Sequence, residues 1–289
     1  MNKELIFRND MPESRQEDQV WVYLNRESPD NSNHDLPSYA NLFNWTMTYR
    51  TDSDVLHPYA VIVDEDTTQD RMGRRLINPD YSNWINLTRK KTKLAAWAVS
   101  NCNTDSKREN LVEKLRQFVD IDVFGRCGNY TCPFGTDTCF NFIEETYKFY
   151  FAFENSLCDD YITEKFFYML NRTIIPVVFG AGDYASISPR HSHIDVRDFS
   201  SVRKLAEYLI YLDSNEEEYV KYFWWKKYYR VRQTDGWCKL CYKLKDKEKS
   251  VRQIIPDLEG WYRFKKDEQH TTIPRCVHYS GNFSTLQSF

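Results

Sequence analysis

The 289 residues read as an α/β protein built on a doubly wound parallel sheet. Three observations lead there. From Lys93 onward, short runs of branched and aromatic residues alternate with amphipathic stretches, the order that gives a parallel sheet with helices on both faces. The composition is that of a packed chain, with 41% hydrophobic and 16% aromatic residues and only 9 glycines, and no repeat or low-complexity tract is visible. The length suffices for one large domain or two small ones.

The elements follow in order. Residues 1–17 are polar and lack periodicity. Residues 19–25 are rich in branched and aromatic side chains and predict a strand, followed by a loop at Glu27-Ser-Pro29. Further strands are expected over 45–50 and 59–63, with an acidic loop over 64–70. The regular part predicts a strand at 94–100 and a helix at 106–119 with Leu111, Leu115, Phe118 and Val119 on one face. A strand at 121–124, a short helix at 140–147 and a strand at 149–153 come next, with Phe149, Phe151 and Phe153 alternating toward a core. Thr163 should cap a helix reaching about Asn171, and 174–179 should be a strand stopped by Gly180. Ser200 or Ser201 should cap the next helix, through about Leu212. The best boundary lies at 87–93, which divides the chain into 1–90, 91–245 and a C-terminal tail over 246–289.

Net charge is −3 with both signs mixed, so no basic field argues for nucleic acid. The basic run 221–249 reads as a solvated helical face. No apolar stretch is long enough to span a membrane, and no signal-peptide pattern opens the chain. Taken literally, that describes a cytosolic protein. Eight cysteines and five N-glycosylation sequons, at Asn44, Asn86, Asn129, Asn171 and Asn282, point instead to an oxidising, glycosylating lumen. The two are reconciled if Met1 is not the natural start.

In doubly wound sheets, ligands sit beyond the carboxyl ends of the strands. One such place is Phe153-Glu-Asn-Ser156 followed by Asp160-Tyr-Ile-Thr-Glu-Lys165, where the helix starting after Thr163 offers free N–H groups and a positive dipole end. Lys165 there is either a phosphate partner or a surface lysine tolerating a small dipole penalty. The other place is 100–108, where Arg108 could aim a planar fork at the same crevice. Neither GxGxxG nor GxxxxGK[ST] occurs, which excludes a standard dinucleotide or P-loop site.

These segments carry a resemblance. Phe-Tyr-Phe-Ala-Phe-Glu-Asn-Ser, Asp-Tyr-Ile-Thr-Glu-Lys-Phe-Phe and Ile-Pro-Val-Val-Phe-Gly, in that order, resemble the donor-binding signature of the alpha-1,3-fucosyltransferases of glycosyltransferase family 10. Phe43 to Asp54 with Pro58-Tyr59 resembles the family's acceptor-side motif, and Trp21 to Pro29 its strand and loop bearing the catalytic carboxylate. The likeness runs from about residue 5 to Cys241 and is closest to the invertebrate-type core enzymes by its cysteine pattern.

The resemblance implies a GT-B architecture, two Rossmann-like domains facing across a cleft, with the N-terminal one truncated here. It implies inverting transfer of L-fucose from GDP-fucose, in α1,3 linkage, to N-acetylglucosamine of a glycoprotein glycan, the N-glycan core first. Lewis-type outer-arm transfer, protein O-fucosylation or a truncated non-catalytic luminal form are the alternatives. By position Glu27 matches the general base, Arg108 and Lys165 the diphosphate-neutralising cations, and Glu164 the carboxylate on donor hydroxyls. Asn155 and Tyr161 line the same pocket. Tyr49, Arg50, Asp52 and Tyr59 are acceptor-side contacts or equally a packed aromatic cluster. Asp52-Ser-Asp54 has the form of a metal-binding DxD, but positive side chains can serve the leaving group, so no metal is required and Mn2+ or Mg2+ would be at most stimulatory. The natural protein would be a Golgi type II membrane protein, with the membrane met only through an N-terminal anchor.

Disulfides are expected among Cys127, Cys132, Cys139, Cys158, Cys238 and Cys241, with at least one bridge inside the 127-132-139-158 group. Cys238-Lys-Leu-Cys241 lacks the second close pair that zinc would want. With strands absent from the first domain, the isolated chain is expected to be poorly stable.

Overall fold

The computed structural model describes residues 12, 14–32, 35–64, 81–131, 137–245 and 253–280. Its centre is a five-stranded, all-parallel sheet. The strands are β5 (Lys93–Ala98), β6 (Ile121–Phe124), β7 (Tyr147–Phe153), β9 (Ile175–Phe179) and β10 (Ile194–Asp195), lying in the order β6-β5-β7-β9-β10. Numbered within the sheet, that is the doubly wound order 2-1-3-4-5, whose direction reverses between β5 and β7.

The alternation in β7 shows why this sequence makes a sheet buried on both faces. Phe149, Phe151 and Phe153 point to one side, with Leu111, Leu115, Leu205 and Leu209. Those leucines lie on α2 (Arg108–Leu115) and α6 (Val202–Ser214). Tyr150 and Ala152 point to the other side, against Ile143, Phe166 and Leu170. These come from α3 (Asp137–Thr146) and α4 (Glu164–Leu170). Phe149 and Phe153 are 0% exposed, so each contributes about 1.5–3 kcal/mol by burial. Thr163 caps α4 as expected, its hydroxyl accepting from the Lys165 N–H, and Ser201 rather than Ser200 caps α6. Phe118, placed on the buried face of the second helix by periodicity, is exposed, because α2 ends at Leu115.

The N-terminal lobe holds a three-stranded parallel sheet of β1 (Val22–Asn25), β2 (Trp45–Thr48) and β3 (Val55–Leu56). Strand β4 (Val61–Asp64) pairs antiparallel with β11 (Tyr229–Arg232). The segment set apart from sequence as a tail does not hang free over 253–280. Its helix α9 (Leu258–Arg263) buries Leu258 and Tyr262 against Tyr23, Leu36, Tyr39 and Phe43 of the N-terminal lobe. Strand β14 (Cys276–Val277) then pairs with β8 (Leu157–Cys158) beside the five-stranded sheet.

Three further expectations change. The basic run contributes Tyr222, Phe223 and Trp225 to the core, so its first part is no solvated face. Lys226 is drawn inward, its Nζ donating to Leu170 O at 2.6 Å, and burial lowers its pKa to about 7. Cys127 pairs with Cys102 and Cys158 with Cys276, both partners from outside the expected set. Cys139 is also disulfide-bonded, while Cys132 lies outside the described residues. Cys238 and Cys241 are exposed free thiols rather than bridge members. Among the described residues, no helix is long and apolar enough to cross a membrane.

Candidate active site

In the N-terminal lobe, the site begins where β1 ends. The loop after Asn25 is built around side-chain hydrogen bonds to its own backbone. Asn25 Oδ1 accepts from the Glu27 N–H at 2.9 Å, and Asn25 Nδ2 donates to Tyr23 OH and Ser32 Oγ. Ser28 caps a 3-10 turn at Pro29–Asn31. Tyr59 OH donates to Arg26 O at 2.6 Å, and Tyr262 OH donates to Glu27 O. Glu27 is therefore held at its N–H and its carbonyl, with its half-buried carboxylate left to face the other lobe.

In the lobe of the five-stranded sheet, the site lies at the reversal of strand order. Arg108 opens α2 and is buried at 4% exposure. Its Nη1 donates to Phe153 O at 2.6 Å and its Nη2 to Asn101 O at 3.3 Å, so the guanidinium spans the carboxyl ends of β7 and β5. Burial lowers its pKa, with Glu154 acting in the opposite sense. Glu154 itself is 0% exposed. Its carboxylate accepts from the Thr163 N–H at 2.8 Å and from Thr163 Oγ1, and receives Lys165 Nζ at 3.3 Å. Burial pushes the Glu154 pKa up, against the pull of Lys165. Lys165 Nζ also donates to Thr163 Oγ1 at 2.8 Å and to the exposed Glu164 at 3.3 Å. Burial works against its charge, yet Glu154 and Glu164 outweigh it and the lysine pKa is raised. Asn155 Oδ1 is buried without a hydrogen-bond partner.

The two lobes meet here. Tyr161 OH donates to Glu27 Oε2 at 3.4 Å. Ser28 Oγ donates to Ser156 Oγ at 2.7 Å, and Asp160 accepts from the Thr51 N–H at 3.0 Å and Oγ1 at 2.7 Å. Burial, then Tyr59 and nearby carboxylates, hold the Tyr161 phenol well above its ordinary pKa, so it stays a donor. Glu27, Arg108, Tyr161, Glu164 and Lys165 thus lie near one another between two sets of strand ends, with Asn155 next in the chain to Ser156, which meets Ser28.

The acceptor-side set divides. Tyr49 packs edge-on against Tyr161 at 5.1 Å between centroids, with its buried hydroxyl unpartnered, and Tyr59 sits under Arg26. Arg50 and Asp52 form an ion pair, and the Arg50 guanidinium stacks 3.9 Å from the Trp261 ring centroid. Their charges are used in holding α9. Asp54 accepts from Thr46 N–H and Oγ1 and lies 3.6 Å from Lys243, so Asp52 and Asp54 turn to different partners and do not form one cation site. Among the described residues, the other ligand-like group is Asp30 with Cys158 and Cys276, and those sulfurs are bonded to each other.

Comparison with known proteins identifies the family. Residues 88–261 match the family model for glycosyltransferase family 10 (fucosyltransferase), C-terminal, and residues 1–60 match that for the fucosyltransferase N-terminal region. This chain belongs to glycosyltransferase family 10. It is 40% identical to alpha-(1,3)-fucosyltransferase C of Drosophila melanogaster over 87% of this chain and 61% of that protein. It is 41% identical to glycoprotein 3-alpha-L-fucosyltransferase A of the same fly over 76% of this chain and 43% of that protein. It therefore spans roughly three-fifths or less of the length of these relatives. A crystal structure of an alpha1,3-fucosyltransferase with GDP-fucose aligns with a TM-score of 0.52 at 17% identity, covering 80% of this chain and 75% of that one, a likeness of fold. The α/β, GT-B type expectation holds.

Within this family 10 chain, sequence reasoning passed over three residues that shape the site. Glu154 stood inside a quoted motif, but only burial reveals that it ties Thr163 to Lys165. Arg26 precedes the carboxylate and stacks 4.1 Å from the Tyr59 ring centroid. Tyr262 lay in the presumed tail. Of the sequons, Asn86, Asn129 and Asn171 are exposed, whereas Asn44 is 0% exposed and hydrogen-bonded through both side-chain atoms. Asn282 lies outside the described residues.

Proposed function

We propose that this protein transfers L-fucose from GDP-fucose to a hydroxyl of N-acetylglucosamine on a glycoprotein glycan, in α1,3 linkage with inversion. The observation that carries the reading is the Glu27 carboxylate, fixed at its backbone and presented across the lobes to Tyr161 and the Arg108–Lys165 region. Inverting displacement needs a base on one side of the sugar carbon and positive charge on the departing diphosphate. Glu27 takes the acceptor proton. Arg108 and Lys165 neutralise GDP as it leaves. Glu164, exposed beside Lys165, binds donor hydroxyls, and the unpartnered Asn155 Oδ1 accepts from the donor. Tyr49 and Tyr59 are the better acceptor-side candidates, since Arg50 and Asp52 are spent on each other. No metal is required in this scheme, and any effect of Mn2+ or Mg2+ is stimulation.

For the acceptor, the first reading is the innermost N-acetylglucosamine of an N-glycan, supported by likeness to a fly enzyme named for glycoprotein transfer. Outer-arm transfer is the second, supported by 36% identity to a human 4-galactosyl-N-acetylglucosaminide 3-alpha-L-fucosyltransferase. The disulfides Cys102–Cys127 and Cys158–Cys276 support work in an oxidising lumen, the Golgi in this reading.

The test is transfer of labelled fucose to a core N-glycan peptide and to N-acetyllactosamine, by wild type and Glu27→Gln. Label on one acceptor that disappears in Glu27→Gln, with GDP binding retained, is expected. Full activity of Glu27→Gln would remove the base assignment. Folded, GDP-binding wild type that labels neither acceptor would count against both acceptor readings.

A further inference from the structure

We propose that residues 258–276 act as a positioning strap for the Glu27 loop, with Tyr262 and Arg263 as its two positioning residues. The proposal rests on the reading of Glu27 as the base. Backbone carbonyls in a loop beyond a strand end have no ladder to pair with, and they need other partners when buried. Here one short helix supplies them. Tyr262 OH donates to Glu27 O. The neighbouring Arg263 donates from Nη1 to Pro29 O at 2.9 Å and from Nη2 to Ser32 O at 3.0 Å. Two consecutive side chains therefore hold three carbonyls of the 27–32 loop.

The strap is itself anchored in both lobes. On the N-terminal side, the Tyr262 ring packs edge-on against Tyr23 of β1 at 5.7 Å, and Arg50 Nη1 donates to Trp261 O at 2.6 Å. Asp257 caps α9 through Gly260 N–H at 2.7 Å. On the donor side, Lys265 pairs with Asp159 at 2.7 Å, the Asp159 N–H donates to Arg275 O at 3.0 Å, and Cys276 is bonded to Cys158. Strand β8, which carries Cys158, lies between Asn155 and Tyr161 in the chain. The segment therefore grips the loop bearing the base and the loop bearing the donor-side contacts, and it sets their separation. An inverting displacement is sensitive to that separation, because a base displaced by about 1 Å can cost on the order of 100-fold in rate.

The conservative test is Tyr262→Phe in the disulfide-intact chain, which removes one hydroxyl and leaves the ring packed. We expect kcat to fall about 10- to 100-fold, with the KM for GDP-fucose and the calorimetric affinity for GDP within about twofold of wild type. Arg263→Ala should lower kcat in the same manner, and Arg263→Lys should recover part of it by restoring one donor. Wild-type kcat in Tyr262→Phe, or a loss of kcat matched by loss of GDP affinity and of thermal stability, overturns the strap. Glu27→Gln run alongside separates the two ideas. An active Glu27→Gln fails the base reading, whereas a dead Glu27→Gln beside a fully active Tyr262→Phe fails the strap alone.

Discussion

Tyr161 OH lies 3.4 Å from Glu27 Oε2, so a side chain of the donor lobe reaches the carboxylate of the other lobe. The phenol is buried and held far above its ordinary pKa, so the contact is a donated hydrogen bond and not a second base. Removing it with Tyr161→Phe leaves the edge-on packing with Tyr49 intact. One net hydrogen bond is worth about 0.5–1.5 kcal/mol, so kcat should fall up to about tenfold. Steady-state kinetics with GDP-fucose checks this. A rise in donor KM with kcat unchanged would make Tyr161 a donor ligand and not a partner of Glu27.

His193 should contribute to an acid limit of the fold. Its Nδ1 lies 3.2 Å from Ser188 Oγ and 3.3 Å from Ser192 Oγ, and its ring packs edge-on with Phe166 and tilted against Tyr184. Burial lowers its pKa from 6.5 to about 4, while Asp195 pulls upward and Arg197 and His191 push further down. A depressed folded value means the unfolded chain takes the proton first as pH falls. The contribution is whole above 6.5 and is lost down to about 4, amounting to about 1–3 kcal/mol. Urea unfolding of wild type and His193→Gln at pH 7 and pH 4.5 should show the variant losing less stability on acidification. Parallel losses would mean that other groups set the acid limit.

The elements that sequence reading placed correctly are those whose signal is local. Phe149, Phe151 and Phe153 announce a strand by period two, and Thr163 announces a helix start by its hydroxyl. Glu27, Arg108 and Lys165 sit at strand ends or helix starts, where parallel-sheet proteins bind ligands, and the structure brings them to one region. What escaped was long-range. Tyr262 is 235 positions from Glu27, and no periodicity in 258–263 says which lobe that helix joins. Cys276 stayed outside the expected disulfide set for the same reason, and nothing local to Arg50 and Asp52 says that Arg50 holds Trp261 and Asp52 holds Arg275.

The Cys158–Cys276 bridge closes a sequence separation of 118 residues. Loop-closure entropy for a span of that size is worth about 3–5 kcal/mol. The double variant Cys158→Ser/Cys276→Ser should melt roughly 10 °C below wild type. Differential scanning calorimetry checks the shift, and added reductant should move wild type toward the variant. An unchanged midpoint would mean that the β8–β14 pairing and the Lys265–Asp159 contact suffice to hold the strap.

Glycan occupancy should divide the sequons by burial. Asn44 has the right tripeptide, but its side chain is structural. Its Oδ1 accepts from the Trp21 N–H at 2.8 Å and from Arg15, and its Nδ2 donates to Gln253 O at 2.8 Å. A sugar on that nitrogen would replace one of its two hydrogens and force bulk into a position with 0% exposure. Asn86, Asn129 and Asn171 are exposed. Protein secreted from a eukaryotic cell, deglycosylated in heavy-oxygen water and mapped by mass spectrometry, should therefore show labelled Asn86, Asn129 or Asn171 and unlabelled Asn44. The same reasoning separates the variants. Asn44→Gln should cost about 1–3 kcal/mol, because buried partners lose their bonds. Asn86→Gln, judged in unglycosylated protein, should stay within about 0.5 kcal/mol. A glycan found on Asn44 of folded, active enzyme would mean that the 15–21 segment and Gln253 can leave it without loss.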